Sequence, residues 1–377
     1  MSEIQITQID TSNRRQVRQF LNLPFHIYRD IPQWVPPLAR DAARMLDHKS
    51  NPFYQHSEAA FLLAVDNSQQ VVGRLAVLNN RNYNTFNHSA TVFFYLFECE
   101  NNLEIAQGLF QAAFDWARLR NLYEIRGPKG FSALDGMGLL VEGFEHRPAF
   151  GIPYNLSYYE ALIESVGFEP DGELLSGYLG RQDYRFPEKI HQVAELIKQR
   201  RGLHIARFNT RSDLRAFLPS LKELYNNSLG GTSGNVPITD DEVQSIANQM
   251  LWFADPALIK IIMKDDQPVG FLFTYPDISA AVQRTRGRLF PFGWLIMWQE
   301  LHRTKWVNIN GAGIIEKYRG LGGTAILFSE LFKTVIDSRF DHADIVQIGV
   351  ENDRMQRELR DLGIDFYKLH RVYRKKI

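Results

Sequence analysis

The sequence predicts an α/β chain made of two halves that share one order of elements. Three observations carry this: a glycine-rich strand-to-helix junction in the second half, a run of strands and helices in order around it, and a recurrence of key positions 197 residues apart. The junction is residues 313–333, GIIEKYRGLGGTAILFSELFK. An apolar strand end runs into Arg319, Gly320, Leu321, Gly322, Gly323 and Thr324, and an amphipathic helix follows at once. Glycines there let backbone N–H groups approach a ligand, and the positive end of the helix dipole favours an anion such as a pyrophosphate. No Gly-Lys-Ser/Thr follows, and the three spaced glycines of a dinucleotide fingerprint are missing.

The elements around the junction read in order. Lys260–Lys264 and Val269–Thr274 form a hairpin about Asp265-Asp266-Gln267-Pro268, and Trp306–Asn310 is a further alternating strand. After the junction helix, Ile345–Val350 is a strand, Asn352–Leu362 is a short helix closed by Gly363, and a last strand carries Tyr367. The first half follows suit. At a shift of 197 positions Arg18, Phe20, Leu21 and Tyr28 meet Arg215, Phe217, Leu218 and Tyr225; Val72, Gly73 and Leu75 meet Val269, Gly270 and Leu272; Asn155 and Leu162 meet Asn352 and Leu359. These matches fall in the first helix, the second hairpin strand and the Asn-led helix of each half, which is the mark of an internal repeat. Extra segments break the register at about 127–153 and about 276–305. Residues 187–201 read as a connecting helix opened by Pro187 and ended by Gly202.

Arg319-x-x-Gly322-x-Thr324 resembles the Arg-x-x-Gly-x-Gly/Ala loop of GNAT-type (Gcn5-related) acyltransferases, and the element order is theirs. The chain is similar to a bacterial group of tandem GNAT proteins whose first half carries Trp34-Val35-Pro36-Pro37, Asn51-Pro52-Phe53 and Val72-Gly73-Arg74. The resemblance implies two tandem domains, 1–180 and 204–377, joined by 181–203, each a mixed, mostly antiparallel sheet flanked by helices. It implies acetyl-CoA or a longer acyl-CoA as co-substrate and an amine of a small-molecule or lipid acceptor. By the same resemblance, the backbone of Ile314 and Ile315 holds the pantetheine arm, Arg319 to Thr324 hold the pyrophosphate, and Asn352 contacts the coenzyme. Thr324 departs from the family's Gly or Ala.

The acid–base residues do not transfer. Where many members have a Tyr seven residues after the motif Asn, this chain has Leu359. Asn308 and Asn310 are the polar residues of the strand before the loop, and an Asn orients an amine without taking its proton. Tyr367, Glu316 and Asn310 are the catalytic candidates, with Tyr318, His302 and His370 behind them. No histidine pair has metal-ligand spacing, so no metal is expected.

The first half replaces the glycine loop by Phe97-Glu98-Cys99-Glu100-Asn101-Asn102. Two carboxylates and no glycine repel a pyrophosphate and keep backbone away from it, so this half is expected to bind no coenzyme. Its role is then structural, or it forms a wall of the acceptor pocket. The loops around Trp34, Asn51 and Gly127–Ser132 read as rigid turns.

Composition bounds the function. With 43 cationic against 43 anionic residues there is no nucleic-acid footprint, which, with the intact coenzyme loop, disfavours a tRNA-dependent aminoacyl transferase. A single cysteine, Cys99, rules out an intrachain disulfide and fits a reducing cytosol, and MSEIQITQID lacks the features of a secretory signal. A cytoplasmic protein is expected. Arg284–Arg288 followed by the apolar Leu289–Trp298 reads either as a helix buried against its neighbour, the favoured reading, or as a membrane-surface or acyl-chain contact through 284–298. The alternative to an enzyme is an inactive acyl-CoA- or metabolite-binding GNAT pair.

Overall fold

The computed structural model describes residues 4–132, 135–181, 187–229, 236–336 and 338–377. Residues 182–186 of the connecting segment therefore lie outside the described residues. The chain divides into two compact units. The first comprises Met1–Leu175, Ser279–Gly293 and Lys368–Ile377; the second comprises Ser176–Ile278 and Trp294–Tyr367.

In the first unit, helix α1 (Arg14–Ile27) starts where Asn13 accepts the N–H groups of Arg15 and Gln16. Strands β1 (Gln5–Gln8), β2 (Glu58–Val65), β3 (Val71–Asn79) and β4 (Thr91–Cys99) pair antiparallel in sequence. Helix α2 (Leu103–Arg118) crosses over, so β5 (Glu124–Gly127) returns parallel to β4. β6 (Leu139–Glu142) and helix α3 (Tyr158–Ser165) follow, and then β7 (Glu169–Gly180), of which residues to Leu175 belong to this unit and Ser176 onward to the second. Leu75, Val77, Phe94, Leu109, Phe110 and Phe168 fill the core between α2 and the sheet. Gly73 makes this possible: a Cβ there would stand 2.6 Å from Ile105 of α2.

The second unit repeats the plan. After helix α4 (Glu188–Arg201), closed by Gly202 at φ +63, come β8 (Leu203–Ile205), helix α5 (Leu218–Leu229), β9 (Lys260–Lys264) and β10 (Gln267–Pro276). Helix α6 (Gly293–Arg303), β11 (Trp306–Ile314), helix α7 (Gly323–Val335), β12 (His342–Gly349), helix α8 (Asp353–Asp361) and β13 (Asp365–Lys376) complete the chain, β13 passing into the first unit at Lys368. β8 to β11 pair antiparallel, and β12 joins β11 in parallel. The predicted mixed, mostly antiparallel α/β architecture is what the chain adopts. Val307, Ile309, Leu272, Ile326, Leu331 and Leu359 pack in one core on the α7 side. Leu224 of α5 covers Phe271 and Ile261 on the other face.

Two details differ from the sequence reading. β12 begins at His342 rather than Ile345, which brings Asp344 into the strand. Asn155 does not lead a helix as Asn352 does. Its amide exchanges hydrogen bonds with the backbone of Leu140 (2.7 and 3.0 Å), while Asn352 caps α8 by accepting the Met355 N–H.

Candidate active site

β11 and β12 are paired only from Trp306–Ile309 and His342–Ile345, although they continue to Ile314 and Gly349. The cause lies on the other side of β11. Between Leu272↔Ala312 and Thr274↔Ile309, three steps of β11 oppose two of β10, a bulge taken up by Gly311 at φ +110. The bulge twists the end of β11, and the parallel ladder stops at that point. Ala312, Gly313 and Ile314 remain bonded to β10, so their outer edge is laid out for an extended ligand. Gly313 is required here, since a Cβ would meet Phe271 at 2.5 Å.

The chain then passes through a single turn, Glu316–Tyr318, into the glycine loop. Arg319 is spent on the loop itself: its Nε donates to the Ile314 carbonyl at 3.1 Å and a terminal nitrogen to the Ser228 carbonyl at 2.6 Å. Gly320 and Gly322 adopt φ of +76 and +85, conformations that disfavour other residues. Gly322 is the N-cap of α7 and has no side chain to offer, and the first helical bond runs from Ile326 to its carbonyl. The N–H groups of Gly323, Thr324 and Ala325 lie ahead of the ladder, at the positive end of the helix dipole. An anion of pyrophosphate type fits this backbone. Arg354 of α8, which the sequence reading passed over, adds charge: its guanidinium comes within 3.1 Å of where a Gly320 Cβ would stand, while its Nε donates to Glu358 at 3.0 Å. The only signal for it was its place two residues after Asn352.

Acid–base groups gather where the strands part. Val307 and Ile309 face the α7 core, so Asn308 and Asn310 face the opposite side. Asn308 lies in register with Tyr275 of β10 and Asp344 of β12, and its amide donates to Asp277 at 2.8 Å. Asn310 donates to the Tyr275 hydroxyl at 3.0 Å, and the Tyr367 hydroxyl donates to Asp344 at 3.0 Å. Asp277, Asn308 and Asp344 are buried. Burial above all, then the Asp344 carboxylate, pushes the Tyr367 hydroxyl far up, and burial does the same to Tyr275. Both tyrosines are therefore neutral donors. The structure brings Tyr367 and Asn310 into this row, whereas Glu316 is exposed on the turn outside it. His302 is exposed on α6, and His370 is fully buried in the first unit, bonded to the Pro153 carbonyl. Asp344 and Asp277 escape sequence reasoning because the strand read from Ile345 starts three residues after its true beginning at His342, and Asp277 follows the end of β10.

The same parting exists in the first unit, and there it is filled. β3 and β4 carry an equivalent bulge, with Leu96 at φ +51, and β4 leaves β5 after Phe93. Tyr158 of α3 donates its hydroxyl to the Cys99 carbonyl at 2.7 Å, and the Cys99 N–H donates to Tyr159 at 3.1 Å. Tyr28 and Tyr159 both donate to Glu98, whose carboxyl is raised by burial despite Arg74 at 3.8 Å. The backbone edge that would receive an extended ligand is satisfied by the unit's own tyrosines.

No family model matches the chain. It is 25% identical over 371 residues to Protein YghO of Escherichia coli K12, covering 97% of this chain and 94% of that protein. It is 23% identical over 381 residues to a bacterial ceramide synthase of Caulobacter vibrioides, covering 98% and 97%. Among solved structures, a tandem GNAT protein from the clavulanic acid biosynthesis pathway superposes with a TM-score of 0.57 at 11% identity, covering 99% of this chain and 98% of the other.

Proposed function

From the tandem GNAT fold that this chain carries, we propose an acyl-CoA-dependent N-acyltransferase whose acceptor is the amine of a lipid or small molecule. The observation behind this reading is the parting of β11 from β12 beside a glycine-capped helix, with a buried carboxylate, Asp344, at the point of parting. The edge of Ala312 to Ile314 would bond the amide groups of a pantetheine arm, with Ile315 at its end. The N–H groups from Gly323 onward, the backbone of Gly320, Leu321 and Gly322, and the Thr324 hydroxyl would receive the pyrophosphate, with Arg354 above and Asn352 fixing α8.

The acceptor amine enters on the Tyr275–Asn308–Asp344 face, opposite α7. Asp344 takes a proton from the acceptor ammonium, and Asn310 orients the freed nitrogen. The new N–C bond forms at the thioester carbonyl, the C–S bond breaks, and the nitrogen's second proton passes to the departing sulfur, which leaves as a thiol while the product nitrogen keeps one hydrogen as an amide. Tyr275, held neutral and accepting from Asn310, has its hydroxyl hydrogen to offer to that region, while the Tyr367 hydroxyl is committed to Asp344 and holds the carboxylate in place. A lipid amine is favoured over a small one by the name of the Caulobacter relative, a ceramide synthase.

Calorimetric titration with acetyl-CoA and palmitoyl-CoA tests the reading, repeated on Thr324→Glu, followed by thioester consumption with a long-chain amine. Binding that the variant loses, with amine-dependent thioester loss, supports it. Failure to bind either thioester overturns it, and binding without turnover reduces the chain to an acyl-CoA-binding protein.

A further inference from the structure

We infer that residues 284–292 of the first unit seat the protein on an anionic phospholipid surface. The sequence reading favoured burial of this segment, and the structure exposes it. Phe290 is 87% exposed, Phe292 69%, Trp294 56% and Trp298 57%. On α6 the buried residue is Met297, while Trp294, Leu295 and Trp298 face out, so the helix turns an apolar stripe to solvent.

The base of the segment is built rather than loose. Gln283 donates to the carbonyls of Pro32 and Trp34 at 2.7 and 2.9 Å, and Ala39 donates to the Gly287 carbonyl at 2.9 Å. Gly287, at φ +73, sits so close to Pro37 that a Cβ would lie 2.2 Å from its carbonyl oxygen. The Trp-Val-Pro-Pro loop is thus the clamp that presents Phe290 and Phe292 outward. Charge points to the partner. Arg284, Arg286 and Arg288 lead into Phe290 and Phe292 with no carboxylate among residues 284–292, in a chain of zero net charge. Aromatic tips ringed by arginine match the headgroup boundary of an anionic bilayer.

This deepens the lipid-amine reading of the acceptor and is tested without it, since no acyl-CoA is needed. Co-sedimentation with vesicles of phosphatidylcholine containing phosphatidylglycerol, and with phosphatidylcholine alone, measures the partitioning. The expected result is binding to the anionic vesicles, weakened roughly tenfold or more in Phe290→Ser/Phe292→Ser and in Arg286→Gln/Arg288→Gln. Both variants should unfold at the wild-type denaturant midpoint and titrate acyl-CoA as wild type does. Equal partitioning of wild type and folded variants overturns the inference, as does absence of wild-type binding. A concentration-dependent dimer that the variants dissolve, without vesicle binding, would assign the face to a second copy instead.

Discussion

Asn308 of β11 lies directly opposite Asp344 of β12, one position before the ladder between the two strands ends. This places a buried carboxylate at the mouth of the gap, oriented by the Tyr367 hydroxyl and faced by an amide already engaged with Asp277. If Asp344 takes the acceptor proton, Asp344→Asn should lower kcat by about 10²- to 10³-fold while the Kd for acyl-CoA stays within about twofold. Tyr367→Phe, which only removes a donor, should cost about 1 kcal/mol of stability and little affinity. Rapid-quench turnover beside calorimetry separates the two, and an Asp344→Asn enzyme at full kcat would return the search to another base.

The glycine loop allows stability and binding to be told apart. Gly322 has φ +85, and a Cβ there would stand 2.2 Å from Ile197 of α4, so any side chain disturbs packing as well as the anion seat. Gly322→Ala should therefore cost about 1–3 kcal/mol in denaturant titration. Thr324→Glu, on the half-buried first turn of α7, should keep the unfolding midpoint and abolish acyl-CoA binding. Parallel loss of stability in Thr324→Glu would void it as a probe of the coenzyme.

Arg354 is largely exposed and shares its charge with Glu358. Its contribution to a phosphate is accordingly modest: Arg354→Gln should weaken acyl-CoA binding on the order of fivefold at low salt, and the difference should shrink as ionic strength rises. A salt-independent difference would mean that the side chain shapes the Gly320 turn rather than neutralising phosphate.

One acyl-CoA should bind per chain, because Tyr158 and Tyr159 occupy the backbone edge of the first unit. Tyr159→Phe leaves the Cys99 N–H without its acceptor and takes one donor from Glu98, so it should cost about 1–3 kcal/mol of stability. Its stoichiometry in calorimetry should remain one. Two sites in wild type would contradict the filled gap.

What was legible in the sequence is what is local. The order of elements, the turn glycines and the helix cap at Asn352 all depend on residues close together in the chain. Asp344 was not legible as a site residue, because its partner Asn308 is set by the register of two strands separated by α7. The charges of Glu98 and Glu100 led to the expectation that the first half takes no coenzyme, but the surroundings of Glu98 were not legible. Glu98 is instead buried under two tyrosine hydroxyls, one of them from Tyr28 at the C-terminal cap of α1, a contact that no spacing announces. Nor does helical periodicity say which face of α6 is covered, which is why the exposed Trp294 and Trp298 reversed the preferred reading.

His370 ties the stability of the chain to pH. It is fully buried, its Nε2–H donates to the Pro153 carbonyl at 3.0 Å, and its Nδ1 has no partner. Burial, opposed by that bond and aided by Lys368, lowers its pKa from 6.5 to about 4. The unfolded chain therefore takes up a proton as pH falls below 6.5, whereas the folded chain resists until about 4. The unfolded state binds more protons across this window, so stability is full above it and falls with pH by about 3 kcal/mol in all. His370→Gln, which keeps a donor for Pro153, should lack this component. Subtracting its unfolding free energies from those of wild type between neutral pH and pH 4 should give a slope of that sign, and a flat difference would show that the imidazole is protonated in the fold.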